Sequence, residues 1–316
     1  MGPVARRDER IDVLSRRVER LKSAPKILAT KPSFRVRVNE EIRLRNMEIE
    51  YGAPSRSVIA GGKFHVYDFV RSHGIDVPEQ LGQWDRPDDI PWDDLPGLVV
   101  IKAAFGSTSR GVVPLRRVEG GWRVVTHEQT VTGEQLAATL STLLADDLIE
   151  GPFGAEEFLD KDGTGTPPID SKLFAFYGEV QVVELRRSDD HGNPGGTRHR
   201  ILDANGTDVA DVFNRKPTDM DIPVPERIGE LVDVAERLSK AIRVPFSRID
   251  LYDVAGRIVF GEITPRPGNF WFGPELDIML GDAWERAQVR IWRDVADGMS
   301  PEPEWGPLGG KPGGDS

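Results

Sequence analysis

Apolar residues recur along this chain at two periods, and the alternation between them sketches its elements. Ile228, Leu231, Val234, Ala235 and Leu238 fall at helical spacing and predict a helix over 225–242. Phe64, Tyr67 and Val70 line one face of a helix predicted over 63–73, closed by Gly74 and followed by extended chain at Val77-Pro78. Residues 133–144 form a third amphipathic stretch, with Thr132 and Gln135 at the spacing of a capping box. A fourth helix is predicted within 276–299. Between these the period drops to two. Ile249, Leu251, Ile258 and Phe260 alternate with polar residues and predict strands over 247–254 and 257–263, joined at Ala255-Gly256. Further strands are predicted at 98–102, 112–115, 122–126 and 155–159. Residues 169–176 and 180–186 form a predicted hairpin across Tyr177-Gly178.

Elsewhere the pattern is weaker. Ile11, Leu14, Val18 and Leu21 are spaced as a short coiled-coil seam within a charged helix at 4–23, which reads as an arm against the body, with a homodimer contact left open. Residues 36–47 read as a basic helix with a solvated face. Residues 81–97 read as a loop rich in Trp, Asp and Pro, and 187–222 as a polar, glycine-rich insertion. The Pro- and Gly-rich end from 301 to 316 reads as a disordered tail.

Composition narrows the function. The chain has 316 residues, a net charge of −11 and no cysteine. The length suggests about two domains or one large composite. The acidic balance argues against a general nucleic-acid binder, so an anionic ligand needs a local basic cluster. Disulfides, thiolate zinc sites and cysteine nucleophiles are excluded. No apolar leader or membrane-spanning run is visible, and a cytoplasmic protein is the default expectation.

The candidate chemistry centres on the hairpin over 247–264. It places Asp250 on one strand and Glu262 on its partner, with Arg248, Thr264 and Arg266 around them. Two adjacent carboxylates repel unless a cation lies between them, and hard oxygen ligands suit Mg²⁺ with nucleotide phosphates. A surface hairpin with solvated charges is the alternative. Upstream, Lys63 stands at a helix start, where the dipole disfavours it. Lys102 precedes Gly106–Gly111, a Gly/Ser turn whose free backbone N–H groups suit phosphate although it is not a Walker A loop. Arg186, Arg187, Arg198, His199 and Arg200 form a basic cluster, read either as a mobile lid that orders on nucleotide or as a solvated insertion.

In order along the chain, these parts resemble the ATP-grasp superfamily, and within it the TupA-like group. The resemblance runs over about 61–290. It rests on Lys63 before Gly74-Ile75-Asp76-Val77-Pro78, and on Lys102 before Gly106–Gly111. It continues through Glu156-Glu157-Phe158-Leu159, then Asp170, Lys172, Phe174, Phe176, Gly178 and Glu179. It closes with Arg248, Asp250, Tyr252, Gly261, Glu262, Thr264, Pro267 and Gly268. The resemblance implies an α+β fold in which two subdomains with antiparallel sheets, about 98–155 and 156–300, grip ATP, with residues 1–60 as a helical arm and pre-grasp segment. It implies carboxylate–amine ligation through an acylphosphate on a small metabolite or surface-polymer precursor. The cofactors implied are ATP and Mg²⁺, and the partners are a small carboxylate and an amine. A hydroxyl kinase and a non-catalytic scaffold are the alternatives.

Position by position, the resemblance assigns Lys63 and Lys102 to the phosphates, and Ser107, Thr108, Ser109 and Gly111 to a cover over them. Glu156, Glu157, Phe158 and Leu159 face adenine, and Asp170 and Lys172 lie near ribose or phosphate. Asp250, Glu262 and Thr264 hold the metal. Arg248 stabilises the transferring charge, and Arg266 and Asn269 face the acceptor. Thr264 stands where many members carry Asn, and Ser171 where the TupA-like group has Tyr.

Overall fold

The computed structural model describes residues 31–53, 57, 61–106, 110–125, 129–160, 163, 165–188, 197–209, 218–267 and 273–309. The 4–23 helix, the turn residues Ser107, Thr108 and Ser109, and Gly268 and Asn269 lie outside them. Helix α1 spans Phe34–Glu50 and α2 spans Gly62–Ser72. The first sheet is built from β1 (Gln80–Trp84), β2 (Leu98–Gly106), β3 (Val112–Val118), β4 (Gly121–Val124), β5 (Thr130–Val131) and β6 (Ile149–Glu157), with α3 (Gly133–Ala145) before its last strand. Its order is β1-β6-β2-β3-β4-β5. The second sheet comprises β7 (Asp170–Ala175), β8 (Val180–Ser188), β9 (Thr197–Leu202), β10 (Ser247–Val254) and β11 (Arg257–Thr264), in the order β11-β10-β7-β8-β9. Helix α4 (Ile228–Ile242) precedes β10, and α5 (Pro274–Ala296) follows β11. Every pairing in both sheets is antiparallel, so the fold is α+β.

Each sheet has its own core. Leu136 and Leu140 of α3 pack with Val99, Ile101, Phe153 and Ala155 under the first sheet. The Thr132–Gln135 capping box forms in full, which fixes where α3 begins. One face of the second sheet carries Leu173, Val183, Leu185, Ile249 and Leu251, covered by α4 and α2. The opposite face is divided. At one end Phe174, Phe176, Val182, Ile201 and Phe246 are closed over by Phe34 of α1 and by Leu280 and Trp284 of α5. At the other end the same face carries the charged side chains Lys172, Glu184 and Asp250, which are buried.

Several expectations are corrected. Part of the 81–97 loop is β1, which pairs with β6; its residues are mostly exposed, so no apolar alternation marks it. The first sheet therefore begins at Gln80 and runs through Glu157, beyond the 98–155 span. Residues 197–202 of the polar insertion are β9, where Leu202 and His199 are buried beside β8. The tail is ordered at least to Gly309. Trp305 packs edge-on against Phe69 with ring centroids 5.5 Å apart, the Glu304 N–H donates to Ala241 O at 2.8 Å, and the Leu308 N–H donates to Ser72 O at 3.0 Å. One half-buried indole anchors a stretch whose Pro and Gly content suggested disorder.

Candidate active site

The β10–β11 hairpin closes through Ala255 (φ 48°) and Gly256 (φ 81°), a turn whose left-handed residues match the strand twist. That register sets Asp250 directly opposite Glu262 and Arg248 opposite Thr264. A bulge falls at Gly261, between the Asp250–Glu262 and Leu251–Phe260 pairs. A Cβ there would stand 2.7 Å from the Tyr252 ring, so the bulge needs glycine. On its other side β10 pairs with β7, setting Asp250 opposite Lys172. Glu262, Asp250, Lys172 and Glu184 thus form one row across four neighbouring strands.

Within that row the charges are bonded. Lys172 Nζ donates to Asp250 and, at 2.7 Å, to Asp170. Arg248 grips Asp250 with two hydrogen bonds, 2.7 and 2.9 Å, and donates to the Thr264 hydroxyl at 2.9 Å. Asp250 is 2% exposed. Burial pushes its carboxyl up, but Arg248 and Lys172 outweigh burial and hold it below the ordinary carboxylate value. Farther along, burial likewise raises Glu184, and the His199 ring at 2.5 Å brings it below its usual value. Glu262 is exposed and, among the described residues, has no hydrogen bond or ion pair.

Across a cleft lies a second charged group. Lys102 on β2 and Glu156 on β6 stand diagonally in register and form a buried ion pair. The Tyr67 hydroxyl of α2 joins it, donating to Glu156 at 2.7 Å and accepting from Lys102 at 2.9 Å. Burial lowers the Lys102 ammonium, and Glu156 with Tyr67 more than restores it. Lys63 donates to Ala103 O at 3.0 Å. Burial depresses its pKa, opposed by Glu262. The cleft is lined by Gly62, Lys63, Val66 and Tyr67 of α2, Ala104–Gly106 of β2 and Phe260–Ile263 of β11. It therefore brings Lys63, Tyr67 and Glu262 to one cavity.

The other sequence candidates sit as follows. Glu157, at the end of β6, accepts from the Glu79 N–H and pairs with Arg257 at 3.3 Å, while Phe158 and Leu159 follow directly. Gly111 (φ 71°) closes the turn back to β3, and its carbonyl accepts from the Ala103 N–H at 2.7 Å. Arg266 lies at the exit of β11, half-buried. Of the basic cluster, Arg200 is held in a two-pronged pair with Asp208 (2.8 and 2.7 Å), Arg198 pairs with Asp219 at 2.9 Å, and His199 meets Glu184. These members are paired within the protein.

Residues missed by the sequence reading are Tyr67 and Glu184; Tyr252 was named as a motif position but given no role. Tyr67 read as a helix-face apolar residue; a buried Tyr needs a hydroxyl partner, and that was its one signal. Tyr252 is pushed well above its ordinary value by Asp170 first, then by burial and by Asp250 and Glu262, which sets it among these carboxylates.

Among the described residues no group of three or more acidic or histidine side chains surrounds a single metal position. The donor chemistry nonetheless fits Mg²⁺. Glu262 is a free carboxylate beside Asp250, and hard oxygens are what that ion takes. Thr264 and Asp250 are both engaged by Arg248, so among the described residues Glu262 is the unengaged donor of the three.

Residues 152–285 match the family model of the TupA-like ATP-grasp proteins. This is the group that the motifs from Lys63 to Gly268 resemble. No curated protein matches the chain. Solved structures similar to it include a D-alanine–D-alanine ligase from Bacillus anthracis, 15% identical with a TM-score of 0.48, covering 75% of this chain and 70% of that one. Another is the ATP-grasp ligase PsnB, 15% identical with a TM-score of 0.41, covering 73% of this chain. A third is a phosphoribosylamine–glycine ligase from Thermotoga maritima, 16% identical with a TM-score of 0.42, covering 77% of this chain. The chain spans 58% and 56% of the length of these last two. No helix among the described residues is long and apolar enough to cross a membrane.

Proposed function

We propose that this protein is an ATP- and Mg²⁺-dependent carboxylate–amine ligase acting in the cytoplasm on a small metabolite or surface-polymer precursor. The observation that carries the reading is the charged row Glu262–Asp250–Lys172 with Arg248, whose outer member Glu262 lines one cleft with Lys63. Phosphoryl transfer needs positioned cations around phosphate oxygens more than covalent chemistry from the protein. Lys63 and Lys102 suit the nucleotide phosphates, and Arg248 suits the transferring group. Asp250 and Glu262 suit Mg²⁺, which when bound neutralises phosphate charge. An acid attacks the γ-phosphate to give an acylphosphate and ADP. The amine then attacks the acyl carbon, and phosphate leaves with the electron pair of the broken C–O bond. Backbone N–H and C=O groups near Glu157–Leu159 suit the adenine edge.

The test is ADP release across a panel of acids and amines, with product masses. Ligation requires release that depends on both substrates, and a product heavier by the amine less water. A product heavier by one phosphoryl group, formed without amine, would make the protein a kinase. Asp250→Asn and Glu262→Gln should each abolish release; unchanged release overturns the metal assignment.

A further inference from the structure

Helix α5 is covered along one edge at its start and bare along the same edge at its end. The Ser33 hydroxyl donates to Asp277 at 2.7 Å, and Arg37 pairs with Glu285 at 2.6 Å. Between them Gly281 lies against the backbone of Pro32 and Ser33. A Cβ there would stand 2.4 Å from Ser33 N, so glycine is what admits the chain. From Gly281 the edge continues through Glu285, Gln288, Trp292 and Val295, in steps of four and three that keep them on one side of the helix. Beyond Gln288 it is open among the described residues: Trp292 is 63% exposed, Val295 39%, and the adjoining Val289 57%. Single exposed apolar residues are ordinary, but a Trp and two Val on a stripe that is already a contact surface mark an interface. Helix α1 divides its exposed apolar residues between two sides, Ile42 and Ile49 on one, Leu44 and Met47 on another, and forms no such stripe.

The chain itself supplies a matching seam. Residues 4–23 lie outside the described residues, and Ile11, Leu14, Val18 and Leu21 recur there in steps of three, four and three. A helix this short is marginal in water without a surface to pack on. Pro25 disfavours helix at Ala24, which leaves residues 24–30 as the link to Lys31. Fully extended, that link reaches about 25 Å. Trp292 lies about 16 Å along α5 from Gly281, where the chain arrives, so the stripe is within reach. Residues 4–23 also carry seven basic against four acidic side chains in a chain of net charge −11, so the acidic body attracts them.

We propose that residues 4–23 dock in cis as a helix on the open edge of α5, seating Ile11, Leu14, Val18 and Leu21 on Val289, Trp292 and Val295. The docked arm extends to the end of α5 the contact that Pro32 and Ser33 begin at Gly281. Apolar steps of three and four on both partners let their side chains interdigitate. A second copy of the chain would lose translational and rotational freedom to reach the same face. The arm is tethered beside it, at an effective concentration on the order of mM.

The chain has no cysteine, so one introduced thiol reports on one place. Full-length Val289→Cys and, as a reference, Met220→Cys are labelled with a maleimide, each rate divided by that of the same variant unfolded in urea. The two native side chains are each 57% exposed, yet Val289→Cys should label at least tenfold more slowly. Adding Leu14→Asp and Val18→Asp should bring it within twofold of Met220→Cys and leave Met220→Cys unchanged. The slow rate should persist through hundredfold dilution. Circular dichroism checks that each variant is folded, and Ile11→Asp with Leu21→Asp replaces the first pair should it not be. Equal labelling of the two thiols in the otherwise unaltered chain overturns the proposal. So does slow labelling that the seam changes leave untouched, which puts another segment on α5. Slow labelling that is lost on dilution puts a second copy there and overturns it as well.

Discussion

Each sheet buries one lysine against a carboxylate on a neighbouring strand, but the two pairs are closed differently. Lys102 meets Glu156 and the Tyr67 hydroxyl, so one positive charge faces one negative charge and the group is complete. Lys172 meets both Asp170 and Asp250, Arg248 supplies the second cation, and Glu262 stands beside them unpaired. The first group is a self-contained pair at the edge of the cleft. The second leaves one carboxylate over, and that surplus is what a divalent cation would satisfy. The contrast teaches that a buried charge is uninformative about function until its partners are counted.

The largest effect should come from Lys172→Met, which leaves the buried Asp250 and the half-buried Asp170 with Arg248 alone. Unfolding by urea should show a loss of about 3–5 kcal/mol. Lys102→Met should fall at the low end of that range of about 3–5 kcal/mol, because Tyr67 still bonds Glu156. Equal losses would erase the distinction between the groups. A double replacement sharpens it further. Lys102→Met with Glu156→Leu should recover most of the stability lost by the single change, since both members of the pair go together. Lys172→Met with Asp250→Leu should recover little, because Asp170 and Arg248 remain. Equal recovery by urea midpoint would show that Lys172, too, is an isolated pair.

Acid should also separate the two. The folded-state values of Asp250 and Glu184 lie below those of the unfolded chain, so their stabilisation is complete above the ordinary carboxylate range. It is lost as pH falls below roughly 4 toward the depressed values. Urea midpoints from pH 7 to 3 should fall steeply for wild type and less steeply for Asp250→Asn; parallel curves would place the acid sensitivity elsewhere. The smallest effect should be Tyr67→Phe, which removes two hydrogen bonds to charged groups for about 2 kcal/mol, read by the same denaturation.

Much of this was legible in the residues. The β10–β11 hairpin followed from two-residue alternation and a turn at Ala255-Gly256, and α3 from its capping box, because both signals are local. Strand β9 was not legible, since Arg198, His199 and Arg200 present no apolar face; His199 is buried through its bond to Glu184, which lies fifteen residues away in sequence. The tail to Gly309 was misread because Trp305 finds its pocket against Phe69 and His65 on α2. In α1 Phe34 and Val38 are buried while Ile42, Leu44, Met47 and Ile49 are exposed, so hydrophobicity did not mark its inward stripe.

At the candidate site the sequence by itself determined which chemistry was present: two lysines, an Arg-x-Asp strand and its Glu partner, set on elements that local pattern could place. The tertiary structure decided which partner each of those charges meets. It matched Glu156 to Lys102, Arg200 to Asp208 and Asp250 to Arg248, and among the described residues it left Glu262 unbonded. The reason is range: strand and cap signals act over a few residues, whereas an ion pair forms only where strand register and helix packing bring distant groups within bonding distance.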